Sequence, residues 1–164
     1  MTAAGWIEIG LYVAILTALT PVVGRYLAWV YRRPHRQPEQ DWKRYARSVL
    51  VSSAVFWGLL YLILRTQGIH PFNPGGFDSA PWDVAFNTTS SFVTNTNWQF
   101  YGGETTMSNF SQMAGLAVQN FVSAAVGISV AIAFIRGVAA RSGTALGNYY
   151  VDLWRTLAFV LLPV

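Results

Sequence analysis

Hydrophobic positions in this chain come in long unbroken runs. Ile7 to Tyr31 (IEIGLYVAILTALTPVVGRYLAWVY), Val49 to Leu64 (VLVSSAVFWGLLYLIL, extendable to about Gly68) and Asn109 to Ile135 (NFSQMAGLAVQNFVSAAVGISVAIAFI) carry almost no charge. At about 1.5 Å per residue such runs suit a hydrocarbon core of about 30 Å, so each predicts a membrane-crossing helix. A last run, YYVDLWRTLAFVLLPV, predicts the start of a fourth and ends at Val164 without a cap or polar tail, so the sequence is expected to be truncated there. The expected layout is a first span at 1–31, a basic loop at 32–47, a second span at 48–68, a polar connection at 69–108, a third span at 109–136, a loop at 137–148 and the next span from 149 to 164. Pro21 is expected to kink the first span, and Arg25 to extend toward the nearer interface.

The connection at 69–108 breaks the pattern. It opens on GIHPFNPGGF, a cluster of turn formers. Then Ala80 to Val93 (APWDVAFNTTSSFV) predicts a half-helix, with Ser79 as N-cap, Pro81 in the first turn and Asp83 at the positive end of the dipole. At about 21 Å it is too short to cross. The stretch SFVTNTNWQFYGGETTMS follows, rich in Asn, Thr and Gly. Two readings fit this order of elements: an external loop with a surface helix, or a helix and loop that dip into the membrane from one side and return. Irregular backbone at membrane depth survives only where protein buries it or water lines it.

Composition supports the membrane reading. Of 164 residues 53% are hydrophobic and only 11% charged, against about 25% charged in soluble domains. The absence of Cys removes disulfides and thiolate metal sites. The N-terminal MTAAGWIEIG lacks the basic leader of a signal peptide, which makes the first run a retained span. Arg25, Arg32, Arg33, Arg36, Lys43, Arg44, Arg47, Arg136, Arg141 and Arg155 fall in or beside the first and third connections, and Arg65 alone near the second. The positive-inside rule then places the N-terminus and the 69–108 connection outside and the other two connections in the cytoplasm. There the basic loop faces anionic lipid, not nucleic acid.

If the connection dips, its chemistry favours a monovalent cation. The half-helix aims its negative end inward, and Val93, Thr94, Asn95, Thr96 and Asn97 add carbonyls and neutral polar side chains. Neutral oxygens can dehydrate such an ion without trapping it, whereas carboxylates favour divalent ions. Asn95 and Asn97 adopt left-handed backbone angles more readily than most residues and can stand in for glycine. In the third span Gln112, Gln119, Asn120 and Ser123 form a polar stripe expected to face a bundle interior or wet cavity. Ala124, Gly127 and Ala131 are expected to let helices pack closely.

The stretch FVTNTNWQFYGGETTMSNFSQMAGLAVQNFVSAAVGI resembles the first pore loop and following helix of the KdpA family, the potassium-binding A subunits of Kdp potassium-transporting ATPases. RRPHRQPEQDWKRY and LGNYYVDLWR resemble that family's first two cytoplasmic loops, and the similarity runs from Trp6 to Val164. The resemblance implies an all-α integral membrane fold: an extra N-terminal helix, a potassium-channel-like helix–pore loop–helix repeat and the start of a second. It implies a filter at 93–97 in which the carbonyls of Thr94, Asn95 and Thr96 bind potassium, Val93 adjoins them, and Asn97 and Gln99 give support, with Asn95 at the centre and Gln99 just behind. It further implies a high-affinity uptake complex in a prokaryotic plasma membrane, with an ATP-hydrolysing B subunit, C and F subunits, and no cofactor beyond the transported ion.

Other chemistries lack their motifs. GGETT at Gly102 to Thr106 has no phosphate-loop lysine, and no HExxH or GxSxG occurs. His35 and His70 have no second ligand at metal spacing. Glu8, Asp78 and Glu104 read as surface charges. The rival functional class is a non-conducting assembly or anchoring subunit whose polar loop only docks a partner.

Overall fold

The computed structural model describes residues 2–140 and 145–163, arranged as two units, Met1–Arg36 and Gln37–Val164. The first unit is helix α1, Ala3–Arg32. Thr2 caps it, its Oγ1 accepting from Gly5 N at 3.3 Å. The helix runs unbroken through Pro21. At its end the Arg33 guanidinium lies 3.5 Å from the centre of the Trp29 ring.

In the second unit, helix α2 spans Trp42–Arg65 and starts earlier than the hydrophobic pattern implied. Asp41 is the reason: its Oδ1 accepts from Arg44 N at 2.8 Å and caps the helix. Lys43, Arg44 and Arg47 therefore stand on the first turns of α2, not in the loop expected at 32–47. A tight turn at Gln67–Ile69 follows, then α3, Trp82–Val93, and the short α4, Gly103–Thr106. A wide, π-helical segment, Ser111–Ala117, runs into α5, Val118–Ala139. Helix α6, Tyr149–Arg155, continues into a second wide segment, Thr156–Leu161. Of the loop expected at 137–148, residues 141–144 lie outside the described residues, as does Val164.

All regular structure among the described residues is helical, and three helices are long and apolar enough to cross a membrane: Ala3–Arg32, Trp42–Arg65 and Ser111–Ala139. The second unit has two buried clusters. One joins Leu60 and Leu64 of α2 to Ala85 and Phe92 of α3, with Ala80, Met107 and Leu116. The other joins Tyr45, Ala133 and Tyr149, from α2, α5 and α6. Gly115, in the wide segment, lets α5's approach pack on α2, since a Cβ there would sit 3.0 Å from Leu60 Cδ1. Of the small residues expected to allow close packing, Ala124 is half-buried and Gly127 and Ala131 are exposed, while Ala125, Ser129 and Ala133, spaced four apart, are buried.

Candidate functional site

Helix α3 is held by α2 at both ends. At its start, Ala80 N donates to Leu64 O at 3.1 Å, and Arg65 Nη1 donates to Ala80 O at 2.5 Å. With Ala80 so engaged, the helix begins at Trp82, with Pro81 in the capping position and no side-chain cap. Ser79 is therefore not the N-cap that the sequence implied. Near its other end, Trp57 Nε1 donates to Ser90 Oγ at 3.1 Å, while the indole stacks on Tyr61 and meets Phe86 edge-on.

The chain leaves α3 through a reversed turn. Asn95 N donates to Phe92 O at 3.2 Å and Thr96 N to Ser91 O at 3.0 Å, the paired bonds of a Schellman cap. That cap needs a left-handed residue between them, and Asn95 supplies it with φ 59°. Asn97 is left-handed too, with φ 52°. Both asparagines thus take the glycine-like conformation their side chains permit.

Every backbone N–H from Thr94 to Asn97, and the hydroxyls of Thr94 and Thr96, point back at α3. Ser91 O also accepts from Asn97 N at 3.3 Å and from Thr96 Oγ1 at 3.1 Å, while Thr94 Oγ1 donates to Ser90 O at 2.8 Å. Among the described residues, no hydrogen-bond donor reaches the backbone carbonyls of Val93, Thr94, Asn95 or Thr96. Val93 is half-buried, and Thr94 to Asn97 are exposed. These four oxygens lie at the negative end of α3's dipole, with no formal charge between Val84 and Phe100.

Two side chains position this loop: Gln67, which the sequence did not single out, and Ser123, whose partner it did not reveal. Gln67 is 1% exposed and uses all its hydrogen-bonding capacity. Its Nε2 donates to Asp78 O at 2.7 Å and Thr106 O at 2.9 Å, and its Oε1 accepts from Ser108 N and Ser111 Oγ, each at 3.2 Å. The entry to the loop, its exit and the end of α2 therefore meet at one carboxamide. The other is Ser123, whose Oγ lies 3.1 Å from Asn95 Oδ1. It belonged to the polar stripe, but nothing in the sequence paired it with Asn95.

The stripe itself divides. Gln119 and Ser123 are buried and Asn120 is exposed, while Gln112 donates to Gly103 O at 3.3 Å and Met107 O at 3.0 Å. Gln99 is exposed. Burial pushes the Tyr101 hydroxyl up, and the nearby Thr88 and Gln99 side chains pull it partly back, though neither closes a full hydrogen bond with it. The side chain in contact with Asn95 from another helix is thus Ser123. His35 and His70 gain no metal-binding company, since no group of three His, Asp or Glu side chains gathers among the described residues.

Fold and loop together define a class: an all-helical chain with membrane-length helices, interrupted by a short helix whose negative end presents free, uncharged oxygens. The profile of the KdpA family, the potassium-transporting ATPase A subunit, matches residues 10–164, and the chain belongs to that family. A potassium-transporting ATPase potassium-binding subunit from Brucella anthropi is 46% identical over 185 residues, covering 100% of this chain and 33% of that protein. Proteins of the same description from Granulibacter bethesdensis and Rhodospirillum centenum are 47% and 45% identical, again over 100% of this chain. The chain spans about a third of the length of these relatives.

Proposed function

We propose that Val93 to Asn97 form one segment of a potassium filter, in a chain that takes up potassium as part of an ATP-driven complex. One observation carries the reading: the carbonyls of Val93, Thr94, Asn95 and Thr96 receive no hydrogen bond among the described residues, because the backbone donors of the turn and its two threonine hydroxyls are directed at Ser90, Ser91 and Phe92. Left-handed turns at Asn95 and Asn97 release those oxygens without glycine. In the full-length chain, further loops complete the ring of oxygens that replaces water around the ion. Asn97 and Gln99 support the filter, Gln99 just behind it.

In this reading the helix–loop of 69–108 dips into the bilayer from outside, the N-terminus is external, and the membrane is the plasma membrane of a prokaryote. The ion passes to a B subunit that hydrolyses ATP, with C and F subunits completing the complex. The test uses the full-length chain in its complex, with Asn95→Ala. A filter residue shifts the potassium half-saturation of ATP hydrolysis, or the choice of potassium over sodium, in a complex that still assembles. Loss of assembly with unchanged ion choice in the remaining complex would instead identify a docking loop.

A further inference from the structure

We infer that Ser123 is a specificity-determining positioning residue, which sets the ion preference of the loop by holding Asn95. The inference rests on the filter reading above and adds to it a residue outside the loop.

Asn95 is the residue on which the turn pivots. Its φ of 59° reverses the chain here, beside the Thr94 and Asn95 carbonyls that accept no hydrogen bond. An L-residue other than glycine is disfavoured in that conformation, so the side chain must be restrained if the carbonyls are to stay in place. The local restraint is weak: Asn97 Nδ2 lies 3.4 Å from Asn95 Oδ1. Ser123 Oγ is closer, at 3.1 Å, and comes from α5. Among the described residues, no other hydrogen bond ties residues 94–97 to anything beyond α3 and the loop itself.

Ser123 is suited to the task. It is 4% exposed, so water does not compete freely for its hydroxyl. The same Oγ lies 2.8 Å from Gln119 O, one turn back on α5. A serine has one proton and two lone pairs. The hydroxyl thus has acceptors on its own helix, Gln119 O at 2.8 Å and Asn120 O at 3.5 Å, and beyond it Asn95 Oδ1 at 3.1 Å, so the contact refers the orientation of Asn95 directly to α5. A filter selects between ions of different radius by how firmly its oxygens keep their spacing and number. Removing the anchor frees the pivot and lets the oxygens follow the ion, which erodes choice more than it erodes turnover.

The experiment uses the full-length chain in its ATP-hydrolysing complex. Ser123→Ala is expected to raise the potassium half-saturation about three- to tenfold, the equivalent of one lost hydrogen bond, and to narrow the preference for potassium over sodium. The maximal rate and complex yield stay near those of the parent, and Ser123→Thr, which keeps the hydroxyl, restores the preference. Ser123→Cys, near in size but a weak donor, is expected to follow Ser123→Ala. On an Asn95→Gly background, Ser123→Ala adds no further shift. Additive effects of the two substitutions, or loss of assembly in both Ser123→Ala and Ser123→Cys, would mark Ser123 as merely structural and overturn the inference. A shift with Asn95→Gly but none with Ser123→Ala overturns it while leaving the filter intact; no shift with Asn95→Gly, which keeps the left-handed backbone and removes only the side chain, also overturns it, and the filter itself is then decided by Asn95→Ala.

Discussion

Arg136 grips Asp152 with both arms of its guanidinium, Nη1 to Oδ2 at 2.6 Å and Nη2 to Oδ1 at 2.9 Å. The pair joins the end of α5 to α6, and Tyr45 of α2 adds its hydroxyl to Asp152 Oδ2 at 3.2 Å. Three helices thus converge on one carboxylate. Burial is unequal, with side-chain exposure of 27% for Arg136 and 1% for Asp152. Removing the arginine strands a fully buried carboxylate, whereas removing the carboxylate leaves a guanidinium that still reaches water and Leu146 O, 2.9 Å away. Arg136→Ala is therefore expected to lower stability by about 3–5 kcal/mol, and Asp152→Asn by clearly less. Thermal unfolding of the full-length chain in detergent compares them, and equal losses would contradict the asymmetry.

Gly147 depends on the same guanidinium. Its φ of 93° is left-handed, and a Cβ there would run into Arg136 Nη1. Its carbonyl also accepts from Gln40 N at 2.7 Å, so the backbone cannot easily swing away. Gly147→Ala is expected to destabilise by more than about 1 kcal/mol. On an Arg136→Ala background the steric part disappears and only the backbone strain persists, so the two losses should sum to less than their separate values. Strict additivity in the same melting assay would count against the contact.

For Gln67 the expectation follows from hydrogen-bond capacity. Gln67→Met fills a similar volume but removes the partner of the Asp78 and Thr106 carbonyls and strands Ser108 N, while Ser111 Oγ keeps Ser108 Oγ. Ser108 N, a buried group left unpaired, costs about 1–3 kcal/mol, so a loss of at least about 1 kcal/mol and a raised potassium half-saturation are expected. Gln67→Glu keeps the acceptor side and loses the donors. The carbonyls of Asp78 and Thr106 then lose the amide that joins them, while Ser108 N and Ser111 Oγ keep their acceptor. A potassium half-saturation equal to the parent's in both variants would count against this role for the carboxamide.

The long helices were legible because unbroken hydrophobic runs have few other solutions in so lightly charged a chain. The start of α2 was not, since Asp41 caps a first turn made of Trp42, Lys43 and Arg44, which reads as loop by composition. Helix α3 was legible from its length and from Asp83, but its first residue was set by Ala80 bonding to α2, a tertiary event. Gln67 was hidden for the same reason: its partners lie between Asp78 and Ser111, and no local pattern marks a glutamine that gathers them. The polar stripe was legible only in part. The wide segment Ser111–Ala117 adds a residue per turn before α5 begins, so Gln112 and Gln119 do not share the face that an even helical repeat assigns them. At Asn95 and Asn97, side-chain chemistry alone pointed to a left-handed backbone.

Asn97 separates what the loop needs from its backbone from what it needs from its side chains. The residue is left-handed, with φ 52°, yet its side chain makes only the 3.4 Å contact to Asn95 and is otherwise exposed. Its amide N, by contrast, is one of the donors fixed on Ser91 O. Asn97→Gly keeps that backbone and removes little else, so potassium half-saturation should stay within about twofold, a change of under about 0.5 kcal/mol. Asn97→Val places a β-branched side chain where left-handed angles cost about 1–2 kcal/mol or more. The turn should then relax toward an extended conformation, pull Asn97 N off Ser91 O and weaken potassium binding about tenfold. Half-saturation measured for both variants in the full-length complex decides the point. Equal tolerance of glycine and valine would mean that the loop abandons this backbone when it binds its ion.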